Sequence, residues 1–166
     1  MSLVAVLLLA ASASAQPAPR QWTEHLGTVR VGARAEVAAL RYGIFGPSLD
    51  LGYRARPWFL LGVGAGARDR ITGSDCYGDR CNERWLALDG WVEVHTFPRS
   101  VVVPWVRASI GNYQANPYFG TDIGLELRLG ILGFGGWAGG RAVLDREPIG
   151  YSAGLRLSVE LGNADD

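Results

Sequence analysis

The groups with chemistry to offer are few in kind: Cys76 and Cys81, His25 and His95, and sixteen carboxylates against sixteen arginines, with no lysine. Both cysteines lie in one polar run, Ser74 to Arg84, reading SDCYGDRCNER. Their C-x-x-x-x-C spacing is not the C-x-x-C of a thioredoxin-like centre, which also needs a βαβ setting. A zinc site needs further ligands, and the two histidines are expected at the short-turn ends of the strands, far from this loop. The expectation is a disulfide between Cys76 and Cys81 that closes a tight loop. Asp69, Asp75, Asp79, Asn82 and Glu83 offer oxygens to a cation, but a solvated polar loop is the plainer reading. No metal and no cofactor is expected. A formal net charge of zero gives no basic patch for nucleic acid.

The chain opens with an apolar run from Leu3 to Ala11, too short to cross a bilayer as a helix. Followed by Ala13-Ser14-Ala15, it reads as a signal peptide, residues 1–15, cleaved after Ala15. Export suits a chain whose two cysteines pair in an oxidising compartment. A short leader (16–24), one domain (25–162) and a tail (163–166) complete the expected organisation.

From His25 onward the chain alternates in polarity, with turn residues between segments and no convincing helical period. About eight segments emerge: His25–Ala38, Ile44–Ala55, Trp58–Arg68, Trp85–Thr96, Val101–Gly111, Phe119–Leu129, Gly133–Ala142 and Ile149–Leu161. In the first, Val29, Val31, Ala33, Ala35 and Val37 oppose Arg30, Arg34 and Glu36. In the last, Tyr151, Ala153, Leu155, Leu157 and Val159 oppose Ser152, Gly154, Arg156, Ser158 and Glu160. Every segment keeps its charges in one phase, an arrangement that random placement would give about one time in a hundred.

Alternation alone does not say which face is inside, because a soluble barrel and a membrane barrel write the same pattern. Length breaks the symmetry: segments of about ten to thirteen residues exceed the usual soluble strand and match a tilted bilayer-crossing one. The charged phase also carries Trp91, Trp105 and Trp137 among many glycines, a large-with-small mixture suited to a narrow lumen. Arginine forks satisfy carboxylates in an enclosed space better than ammonium groups do. The charged face is therefore read as the interior. Its expected charge network is Arg30, Arg34, Glu36, Asp50, Arg54, Asp89, Glu93, Arg107, Glu126, Arg128, Arg141, Arg156 and Glu160.

Connections alternate too. Short turns fall at Arg56-Pro57, Phe97-Pro98-Arg99 and Gly130-Ile131-Leu132, and longer polar loops at about Asp69–Arg84, Gln114–Tyr118 and Asp145–Pro148; the first loop, near Leu40 to Gly43, is the exception in being short. Tyr42, Tyr113, Tyr118 and Tyr151 gather toward the long-loop end, and Trp22, Trp58 and Phe97 toward the other, as two interfacial girdles would. The expected fold is all-β: a closed, antiparallel, up-and-down, eight-stranded transmembrane barrel, since an open edge in hydrocarbon would leave backbone groups unpaired.

With TVRVGARAEV, RPWFLLGVGAGARDR and IGYSAGLRLSVEL the mature chain resembles the small eight-stranded outer-membrane β-barrels of Gram-negative bacteria, the group of the OmpA transmembrane domain and OmpX. The resemblance implies a cell-surface, porin-like barrel in contact with outer-membrane lipid. It departs from that group in ending its last strand on Leu161-Gly162 rather than an aromatic residue. A peptidoglycan-binding domain is not expected after the barrel.

The interior charges have two readings, an ion pathway or a paired structural core; near balance of sign favours the core. Some barrels of this kind act on lipids. Acyl transfer would need a nucleophile and a positioned histidine near the outer leaflet, whereas His25 and His95 fall at the short-turn end. No catalytic residue is assigned. The expected role is non-enzymatic, structural or in surface interaction, through a monomer whose outer loops meet a partner of unknown kind. The alternatives are a soluble secreted barrel with an apolar ligand inside and a lipid-modifying enzyme.

Overall fold

The computed structural model describes residues 27–39, 43–71, 84–113, 116–143 and 150–162. Eight strands run in chain order: β1 (Val29–Ala39), β2 (Gly43–Arg56), β3 (Phe59–Ile71), β4 (Arg84–His95), β5 (Val102–Tyr113), β6 (Asn116–Leu129), β7 (Leu132–Val143) and β8 (Gly150–Leu161). Each pairs antiparallel with its neighbour, and β8 returns to β1, closing the barrel. The closure pair is as long as the hairpins, running from Val29↔Leu161 to Ala39↔Tyr151.

The two-residue period dictates this sheet. Along β1 the exposed positions are Val29, Val31, Ala33, Ala35 and Val37, and the buried ones are Arg30, Gly32, Arg34, Glu36 and Ala38. A slip of one residue would turn every arginine outward, so the charge phase fixes the register. At the short-turn end β6 and β7 meet at Leu129↔Leu132 around Gly130. Gly130 has φ of 65°, the left-handed backbone that two-residue hairpin turns require and that glycine adopts without a Cβ clash. A register shift between Arg54 and Arg56 brings β2 into the turn at Pro57-Trp58.

The structure differs from expectation between β5 and β6. A long loop over Gln114–Tyr118 was expected from the polar residues, but pairing continues through Asn112↔Pro117 and Tyr113↔Asn116, leaving residues 114–115 as the connection. The extra residues place Tyr118 on the inner face, 5 % exposed, so it does not belong to the outer aromatic girdle. Its phase, shared with Gly120 and Asp122, decides this. Tyr151, Trp58 and Phe97 are exposed; Trp22, Tyr42 and the side chain of Tyr113 lie outside the described residues, as do residues 1–26, the Cys76–Cys81 pair and His25.

The distribution of polarity is inverted relative to a soluble domain. Among the described residues, thirty large apolar side chains are exposed, while the buried set holds twenty-one polar or charged residues and eight apolar ones. Leu49, Val63, Ile123, Phe134 and Leu155 stand on the outer wall. Strands of twelve residues such as β4 and β5, at about 3.3 Å per residue and a tilt near 40°, rise about 30 Å along the axis, the depth of a hydrocarbon core.

Candidate functional site

Among the described residues the lumen concentrates the chemistry, and it is built strand by strand. Alternate residues point inward, so β1 supplies Arg30, Arg34 and Glu36; β2 Asp50 and Arg54; β4 Asp89 and Glu93; β5 Arg107; β6 Glu126 and Arg128; β7 Arg141; β8 Arg156 and Glu160. All thirteen are buried except Glu160, whose side chain is 13 % exposed.

Glu93, fully buried, is the hub. It pairs with Arg30 Nη1 at 3.1 Å, Arg107 Nη2 at 2.9 Å and Arg156 Nη1 at 2.7 Å. His95 Nε2 lies 2.6 Å from its Oε1, and Arg128 Nη2 lies 2.6 Å from His95 Nδ1. Arginine can only donate, so Nδ1 accepts; the imidazole is then neutral with its proton on Nε2, donated to Glu93. Glu126 binds Arg30, Arg128 (3.0 Å) and Arg156 (2.7 Å). Glu160 takes Arg54 and, at 3.7 Å, Arg128. Asp50 joins Arg34 (2.8 Å) to Arg107 (3.1 Å), and Asp89 ends the chain on Arg34 at 3.2 Å. One connected web thus holds most of the lumen.

A second, smaller island lies toward the long-loop end. Arg68 donates to Glu36 at 2.8 Å, and Arg141 reaches Glu36 at 3.4 Å and Asp122 at 2.5 Å. Arg68, Asp122 and His95 join the thirteen residues of the expected network, each from the charged phase of its own strand, the face that the sequence reads as the interior. Ala38 and Tyr118 close this end, with Trp85 and Val143 packed against them.

Aromatic rings fill what the charges leave. Arg107 stacks on Trp91 at 4.2 Å and Arg156 on Trp105 at 3.8 Å, while Arg141 lies 5.3 Å from Trp137. Such contacts favour guanidinium over ammonium. Each indole rests on glycine: Trp91 faces Gly62 in the β3–β4 register, and Trp137 stands between Gly124 and Gly154. A Cβ on Gly62 would run into the Trp91 ring and the Leu51 carbonyl, so the rings lie flat only because these positions lack side chains.

This arrangement binds charges to one another. Among the described lumen residues one void of about 10 Å³ is bordered by Arg30, Arg34, Asp50 and Arg156, with room for one atom-sized occupant. A soluble barrel holding an apolar ligand would need leucines where these guanidiniums stand. His95 is enclosed beside the short turns and hydrogen-bonded on both nitrogens.

No protein-family model matches the chain, and no curated protein matches it. Solved structures do. Neisserial surface protein A aligns with a TM-score of 0.55 at 11 % identity, covering 81 % of this chain and 95 % of that one. The N-terminal β-barrel domain of Pseudomonas aeruginosa OprF aligns at 0.52 and 16 %, covering 81 % and 99 %. A de novo designed transmembrane β-barrel aligns at 0.55 and 14 %, covering 83 % and 98 %. The chain therefore has the fold of the small eight-stranded outer-membrane β-barrels.

Proposed function

We propose that this chain is a non-enzymatic outer-membrane protein of a Gram-negative bacterium, a monomer in contact with outer-membrane lipid. Its lumen is a structural core rather than a channel, and its outward loops, chiefly the run with Cys76 and Cys81, carry a structural or surface-interaction role. The observation that carries this reading is the pairing of a wall of exposed Val, Leu, Ile and Phe with an interior of mutually bonded arginine and carboxylate. A lumen filled by side chains is what an eight-stranded barrel has room for. Interlocked ion pairs of this density favour rigidity over permeation, since an ion crossing the lumen would have to break them.

The test has two parts. The expressed chain should appear in the outer-membrane fraction and migrate differently on gels before and after boiling, and the purified barrel should give no stable conductance steps in a planar bilayer. Recovery as a soluble monomer without detergent would contradict the location, and reproducible unitary conductance would contradict the closed lumen.

A further inference from the structure

The barrel closes along β1 and β8, and their register sets Arg34 directly opposite Arg156. Like charges in that position repel. One step along the same inner face, Gly32 stands opposite Ser158, and this small pair borders a 10 Å³ void that both arginines line. Arg30, Arg34, Arg107 and Arg156 all line it, and the only lining carboxylate is Asp50. Asp50 Oδ2 already holds Arg34 and Arg107, while Oδ1, beside Gly64, is buried without a hydrogen-bond partner. Arg156, 3 % exposed, pairs its two Nη atoms with Glu93 and Glu126, and its Nε has no hydrogen-bond partner; Trp91, which also lines the void, has an unpartnered Nε1.

Charge points the same way. The larger web contains six arginines, Arg30, Arg34, Arg54, Arg107, Arg128 and Arg156, against five carboxylates, Asp50, Asp89, Glu93, Glu126 and Glu160, with His95 neutral by its hydrogen bonds. Among the described residues one positive charge is uncompensated in a buried web, and such a charge is expensive. A water molecule fits the void and satisfies Nε, but leaves that charge in place.

We propose that the void at Gly32 binds one monoatomic anion, a halide, between Arg34 and Arg156, and that this ion completes the lumen's charge balance. Polyatomic anions such as sulfate or phosphate exceed the space. The site belongs to the lumen and stands whether or not the loops have a partner.

The test uses the full chain refolded into detergent micelles. Urea midpoints are measured in sodium chloride, sodium bromide and sodium gluconate at equal ionic strength. The expected result is a midpoint that rises with the logarithm of chloride or bromide concentration and does not respond to gluconate. Crystals grown in bromide should show anomalous scattering between Arg34 and Arg156. Gly32→Ala adds a methyl group in ordinary contact, 3.4 Å from the Leu157 carbonyl and 3.6 Å from Asp50 Cβ; it should fold, fill the void and lose the halide response. Equal midpoints in all three salts, a response that survives in Gly32→Ala, or no anomalous signal at the void would each overturn the proposal, and the bromide crystal decides it if the variant does not fold.

Discussion

Glu93 shows how much a single lumen side chain carries. Three guanidiniums and an imidazole converge on its two oxygens, so removing its charge strands several donors at once. Glu93→Gln keeps the shape and should destabilise the barrel by about 3–5 kcal/mol, read as a lower urea midpoint, because partners left buried without a counter-charge are costly. Adding Arg107→Gln should restore part of the loss. Steric tolerance is as local. Gly62→Ala drives a methyl group toward the Trp91 ring and the Leu51 carbonyl and should cost about 1–3 kcal/mol. Gly90→Ala, with open space around its Cβ position on the outer wall, should stay within about 0.5 kcal/mol of the parent. The phase of each of these residues was legible in the sequence. Their partners were not, since Arg30 and Glu93 are 63 residues apart and meet only once register and closure are set.

Among the elements, the β4–β5 pair is the weak seam. Its register runs only from Asp89↔Gly111 to His95↔Trp105, seven residue pairs, where every other pair has ten to twelve. Above Asp89 the side chain of Asn112 takes over from the ladder, accepting the Leu88 N–H at 2.7 Å. Amide exchange should therefore be fastest, among paired strands, at the Leu86–Leu88 stretch of β4. Asn112→Ala should speed exchange at Leu88 several-fold, the worth of one hydrogen bond of about 1 kcal/mol, with the remaining strands unchanged by NMR-detected exchange in micelles. Strand number and order could be read from alternation and turn residues. The seam could not, because no local signal marks where β5 leaves β4. The β5–β6 hairpin was missed for a related reason: Asn116 and Pro117 look like loop residues, yet backbone pairing with Tyr113 and Asn112 holds them in strand.

At the scale of the molecule the governing fact is inversion, apolar outside and ionic inside. Alternation in the sequence is neutral between this arrangement and its mirror; strand length and the tryptophans among glycines in the charged phase decided for an ionic interior, and the lumen of this structure is ionic. What the loops contact was not legible, because loop function depends on surface shape rather than on period. Whether the apolar wall faces lipid is measured most directly by spin-label accessibility on the barrel reconstituted in phospholipid vesicles, with a nitroxide at Leu125 and a second at Arg99, both exposed positions. The label at Leu125 should be relaxed by oxygen and shielded from a water-soluble nickel complex, while that at Arg99 shows the reverse. Strong relaxation of the Leu125 label by the nickel complex would contradict a lipid-facing wall.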